Sequence, residues 1–139
     1  MWTKTHSILT TEVTKEQMWK LFADVNNWHL WDTEIDFARM TGKFEKGNTF
    51  ELKPKGGPKV KILLLEAIEH QKFVDQTKFP LAKMFGEHTF EETPIGLKIT
   101  TTMTVKGILS FLWVKLVAKN IADGLPQEMQ AQMKFASRL

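Results

Sequence analysis

Few residues in this chain could do chemistry, and most of those stand in apolar company. The segment Asn26-Asn27-Trp28-His29-Leu30-Trp31-Asp32 holds two tryptophans three residues apart, with a histidine and an aspartate at the same spacing. His29 and Asp32 could be two metal ligands on one face of a short helix, but no third ligand stands near, so no metal site is expected. Asp32 is read instead as an acceptor for the backbone of the turn that follows. His88 sits in Met84-Phe85-Gly86-Glu87-His88-Thr89-Phe90, where period-two alternation puts it on the face of Phe90. An imidazole on an apolar wall can orient a ligand or pass a proton, though in such a place it is more often a core histidine bonded to a neighbour. Asp75 and Arg39 would join it if their strands turn Phe73 and Phe37 inward. Catalytic residues stay unassigned, with His88 and Asp75 the candidates. The chain has no cysteine or tyrosine, so thiolate chemistry and a phenol acid are both excluded. It also lacks a Gly-x-Ser-x-Gly elbow, a phosphate loop, a dinucleotide fingerprint and HExxH, so no cofactor is expected.

The elements that must position these residues follow from periodicity. Residues 2–9 alternate as a first strand, with Trp2, His6 and Ile8 on one side. Thr14-Lys15-Glu16-Gln17 is a capping box opening a helix that buries Met18, Leu21 and Phe22 and ends near Asp24. A short second helix is expected over 26–32. Strands then follow over 35–40, 49–55, 59–68, 72–78, 84–91 and 97–105. Lys55-Gly56-Gly57-Pro58 and Thr93-Pro94-Ile95-Gly96 are the clearest turns. In the last strand Leu97, Ile99, Thr101, Met103 and Val105 share one face, and Lys98, Thr100, Thr102, Thr104 and Lys106 the other. A long helix over 108–137 closes the chain. Leu109, Leu112, Trp113, Leu116, Val117, Asn120, Ile121 and Gly124 mark its buried stripe, with a kink or brief break expected at Gly124-Leu125-Pro126. The fold class is α+β: an antiparallel sheet of about seven strands curved around a long C-terminal helix, with two short helices between strands 1 and 2.

At 139 residues, 42% apolar and 25% charged, the chain reads as one domain, 1–139, able to bury a core without staples. The 19 basic and 16 acidic residues give a net charge of +3 with lysines scattered, so no nucleic-acid partner is expected. No segment has the length and apolarity of a bilayer span or a signal peptide, so no stable membrane insertion is expected. The expected location is cytoplasmic, and the expected state is a monomer or homodimer.

The order of elements, with Met18-Trp19, Asp24-Val25-Asn26-Asn27-Trp28-His29-Leu30-Trp31-Asp32, Gly42-Lys43-Phe44-Glu45-Lys46-Gly47-Asn48-Thr49 and Gly124-Leu125-Pro126, resembles the helix-grip fold of the START-like, Bet v 1-like superfamily. More narrowly it resembles the polyketide cyclase/dehydrase and lipid transport branch, over essentially the whole chain. The resemblance implies a cavity between sheet and long helix that takes a hydrophobic small molecule or lipid. Trp31 would stand at its mouth, where it either touches a ligand or closes the core, while Trp28 seals the end of the core. From the strands Phe37, Arg39, Phe50, Leu52, His88, Phe90, Thr101 and Met103 would face it. From the helix Trp113, Leu116, Val117 and Asn120 would do so. Three functions follow: a binding protein for such a ligand, a cyclase or dehydratase using the same cavity, or a regulatory module whose cavity is vestigial.

Overall fold

In the computed structural model, which describes residues 1–139, period-two alternation produces the long edge strand β1 (Trp2–Thr10). The capping box forms as expected: the Gln17 amide donates to Thr14 Oγ1 at 3.1 Å, and the Thr14 amide to Gln17 Oε1 at 2.9 Å. It opens α1 (Lys15–Ala23), whose buried stripe is Met18, Trp19, Leu21 and Phe22. A 3-10 helix, Val25–Leu30, stands where the second short helix was expected. Then come β2 (Ile35–Arg39), β3 (Thr49–Pro54), β4 (Val60–Ile68), β5 (Lys72–Phe79), β6 (Ala82–Thr93) and β7 (Gly96–Lys106).

The seven strands form one antiparallel sheet in the order β1-β7-β6-β5-β4-β3-β2, so the first strand closes against the last. Bulges between Ile35 and Phe37 and between Leu64 and Glu66 accentuate its bend. The outer face of the β1–β7 pair carries hydroxyls in register, Thr5 with Thr102 at 3.1 Å and Ser7 with Thr100 at 2.9 Å. The inner face carries Ile99, Thr101, Met103 and Val105, all buried. This is the expected helix-grip architecture, with the C-terminal helical segment against the concave side.

That segment is less regular than the expected long helix with one kink or brief break. It runs as α2 (Ser110–Trp113), a π-helical stretch Val114–Ala118, α3 (Lys119–Asp123) and α4 (Leu125–Ala136), with Pro126 in the first turn of α4 where its missing N–H is harmless. The break near Gly124 was expected; the π stretch was not. One extra residue in a helical turn rotates all that follows by about 100°. The sheet therefore meets Ala118, Ala122 and Leu125, while Leu116 is 57% exposed and Asn120 faces solvent. Two apolar clusters result. The larger joins α1, the 3-10 helix, α4 and β2–β7 around Phe22, Trp28, Trp31, Phe50, Phe73 and Phe90. The smaller joins Ala82, Met103 and Val105 to Ala118, Ala122 and Leu125.

Candidate functional site

Because β1, β7, β6 and β5 are neighbours, inward residues from four strands meet in a row. His6 lies opposite Thr101, Thr101 opposite His88, and His88 opposite Phe73. The His88 ring stacks on Phe73 with centroids 4.2 Å apart and planes 11° from parallel. Its edges reach polar partners on both sides: Nε2 is 3.4 Å from Asp75 Oδ2, and Nδ1 is 3.4 Å from Thr101 Oγ1. With the ring proton on Nε2, Nδ1 accepts from the threonine hydroxyl, and Nε2 faces the carboxylate. The stack holds the ring in place between a carboxylate and a hydroxyl, and an imidazole so held can orient a polar group of a ligand. Asp75 has room because the residue opposite is Gly86, where a Cβ would stand 2.8 Å from Asp75 Oδ1. The row lies between the two apolar clusters, and the side chains of His88 and Asp75 keep 16% and 19% exposure.

A second pair of titratable groups lies where the 3-10 helix meets α4. Asp32 accepts from the Glu34 amide at 3.0 Å, the turn role expected of it. Its carboxyl also hydrogen-bonds that of Glu128, from the first turn of α4. Burial, then the charge of Asp32, pushes the Glu128 carboxyl up to about 8, and burial raises Asp32 as well. The two acids therefore share a proton at neutral pH. Glu128 is invisible to sequence reasoning because nothing along the chain links it to a segment nearly a hundred residues earlier. One turn further on, Gln132 is buried with its Oε1 unpartnered.

The residues singled out from sequence divide sharply. His88, Asp75, Thr101, Phe90 and Met103 come together on the inner face. Phe50 and Trp31 are in the aromatic core, Phe50 at 5.1 Å from Trp28 and Trp31 at 5.8 Å from Phe22, with Leu52 packed beside them. Trp28 closes this core and donates from its indole nitrogen to the Phe22 carbonyl at 3.0 Å. Trp113 stacks on Phe79 at 4.5 Å and donates to the Pro80 carbonyl at 2.9 Å, and Val117 is half-buried. Three side chains do not take the inward positions expected of them. Arg39 is exposed, its guanidinium 4.4 Å above the half-buried Phe37 ring, because the bulge in β2 turns Ile35 and Ala38 inward instead. Leu116 and Asn120 leave the inner face through the π stretch. No three His, Cys, Asp or Glu side chains gather as metal ligands. A recess of about 560 Å³ opens elsewhere, beside the β6–β7 turn, lined by Leu9, Pro94 and Ile95 among others.

Residues 1–134 match the family model described as polyketide cyclase/dehydrase and lipid transport. The chain belongs to this family. No curated protein is significantly similar in sequence. Among solved structures the fold is similar to the hypothetical protein jhp0584 from Helicobacter pylori, with a TM-score of 0.77 at 9% identity over 97% of this chain and 88% of that one. It is similar to Ara h 8.0201, with a TM-score of 0.73 at 13% identity over 99% and 100% of the two chains. It also resembles the di-domain ARO/CYC StfQ of the steffimycin biosynthetic pathway, with a TM-score of 0.72 at 14% identity, over 98% of this chain and 50% of StfQ. At these identities the likeness is one of fold. The chain thus has the helix-grip fold of its family, and no helix in it is long and apolar enough to cross a membrane.

Proposed function

We propose that this family member binds a hydrophobic small molecule or lipid carrying a polar group, held between the sheet and the C-terminal helical segment. The observation that carries this is the row Asp75–His88–Thr101, half-wet and set between two apolar clusters. Apolar burial would drive binding, and these three groups would fix the orientation. The aromatic cluster fills the α1 end. The apolar part of the ligand would therefore lie toward Met103, Trp113 and Val117, with Phe90 bordering its polar end. Native mass spectrometry of the purified protein, with extraction and identification of bound material, tests the reading. A panel of fatty acids and polycyclic aromatics should then raise the melting temperature. At a hundred times its Kd a ligand adds roughly 2.7 kcal/mol, or close to 10 °C for a chain of this size. If nothing co-purifies and no panel member shifts the transition, the reading fails.

A second reading is favoured by the 3.4 Å approach of His88 to both Asp75 and Thr101. Cyclisation of a poly-β-carbonyl chain needs a base for the acidic C–H between two carbonyls. It also needs an acid for the alkoxide formed when the resulting carbanion attacks a carbonyl. A histidine held by a carboxylate can serve both steps in turn. Turnover of such a substrate should disappear in His88→Ala while circular dichroism still shows a folded chain; turnover that survives the substitution removes His88 from this role.

A further inference from the structure

The end of the molecule beyond the smaller cluster carries an unusual surface. Gly107, at a φ of +123°, seats its backbone against the β5–β6 hairpin tip, where any Cβ would come within 2.5 Å of the Leu81 carbonyl oxygen. The Leu109 amide donates to that oxygen at 3.1 Å, and the Trp113 indole to the Pro80 carbonyl at 2.9 Å. The hairpin tip and the start of the C-terminal helical segment are thus locked into one rigid corner. From it project Leu81, Ile108 and Phe111, exposed by 64%, 80% and 70%, with Leu116 following one turn along. Isolated exposed apolar residues are ordinary, but three on one braced corner form a patch.

Lysines ring this patch. Lys83 and Lys106 are cross-strand neighbours, Lys78 stands on the other side of the hairpin tip, and Lys115 and Lys119 follow along the helical segment. All five are exposed, and none is in an ion pair. No acidic residue occurs in 76–86 or in 93–122, the two stretches that build the corner. With a net charge of +3 overall, the rest of the chain is net negative, so the cationic character is concentrated here.

We propose that this corner is a docking surface for an anionic lipid membrane, into whose interface Leu81, Ile108 and Phe111 insert while the lysines face the headgroups. Charge and apolarity point the same way: acyl chains accept the tips, and the anionic headgroups answer a lysine ring that has no acid of its own. A second copy of the chain fits poorly, because face-to-face pairing sets five unpaired lysines against five. A nucleic acid would satisfy the lysines but leave the aliphatic tips without a partner. The contact is peripheral, since no helix can cross the bilayer. It is also independent of the ligand reading above, which concerns the inner face of the sheet.

Vesicle co-sedimentation of the full chain tests this, comparing phosphatidylcholine alone with phosphatidylcholine containing about one-third phosphatidylserine. Binding is expected only with phosphatidylserine, and raising salt from about 0.1 to about 0.5 M should weaken it at least tenfold. The double substitution Ile108→Ser and Phe111→Ser should lower binding at least tenfold, as should Lys83→Gln combined with Lys106→Gln. All four side chains are exposed, so the melting temperature should hold. Three results would each overturn the proposal: no binding to anionic vesicles, binding that both variants retain, or a concentration-dependent dimer that the Ile108/Phe111 variant abolishes.

Discussion

Glu128 makes the stability of this protein depend on pH in a direction opposite to that of most carboxylates. Its acid is held from an ordinary 4.5 up to about 8, chiefly by burial and then by the neighbouring charge of Asp32, with Glu34 adding to the repulsion. The folded chain therefore keeps a proton that the unfolded chain has released. Between those two values the native state binds more protons, so stability falls as pH rises and the loss is complete only above about 8. That interval, at about 1.4 kcal/mol per pH unit, corresponds to roughly 4–5 kcal/mol. The N-terminal dipole of α4 favours the anion by only about 0.3–1 kcal/mol and cannot offset it. Lys55 attracts Asp32 without reversing that acid's own upward displacement. Thermal unfolding followed by circular dichroism from pH 5 to pH 9 should show the wild type losing roughly 15 °C. Glu128→Gln should flatten this slope, matching the wild type near pH 5 and exceeding it by several degrees at pH 9. Asp32→Asn should flatten it only in part, because it removes the repelling charge while burial, the larger cause, still holds the Glu128 carboxyl up. Every other titrating group is common to the three proteins, so the difference between slopes isolates the pair. Parallel slopes in wild type and Glu128→Gln would refute the shared proton.

Other substitutions test the backbone that shapes the site. Gly86→Ala places a Cβ 2.8 Å from Asp75 Oδ1, so the carboxylate must move away from its present place beside His88. Denaturant unfolding should show a loss of about 1–3 kcal/mol. Gly107→Ala meets the Leu81 carbonyl oxygen at 2.5 Å and the Ala82 Cα at 2.8 Å, at a positive φ, and has no flexible neighbour to give way. It should cost about 3 kcal/mol or more and free the corner that Leu81 and Phe111 share, read as faster amide exchange at Leu109.

Much of the fold was legible in the chain itself. Thr14 and Gln17 specify the cap by local chemistry alone, and alternation in 97–105 specifies which side of β7 is wet. Gly124-Leu125-Pro126 marks the break in the terminal helix for the same reason, since a missing N–H is a property of the residue and not of its surroundings. His88, Asp75 and Thr101 were also readable as inward-facing, because each shares a strand face with large apolar neighbours.

What the sequence could not specify are the distances and phases that depend on partners far along the chain. The approach of His88 to Asp75 rests on the β5–β6 register and on Gly86 leaving a gap, and neither is a local property. Two features changed which side chains face inward: the bulge in β2, which turned Arg39 out, and the π stretch, which turned Leu116 and Asn120 to solvent. Both inserted one residue into a regular pattern, and packing against a neighbour rather than intrinsic preference decides where that happens. The pairing of Asp32 with Glu128 is the extreme case. Along the chain Asp32 reads only as an acceptor in a turn, and nothing singles out Glu128. Only the meeting of α4 with the end of the 3-10 helix takes both out of water and obliges them to share a proton, because two adjacent charges away from solvent repel more strongly than one proton costs to retain.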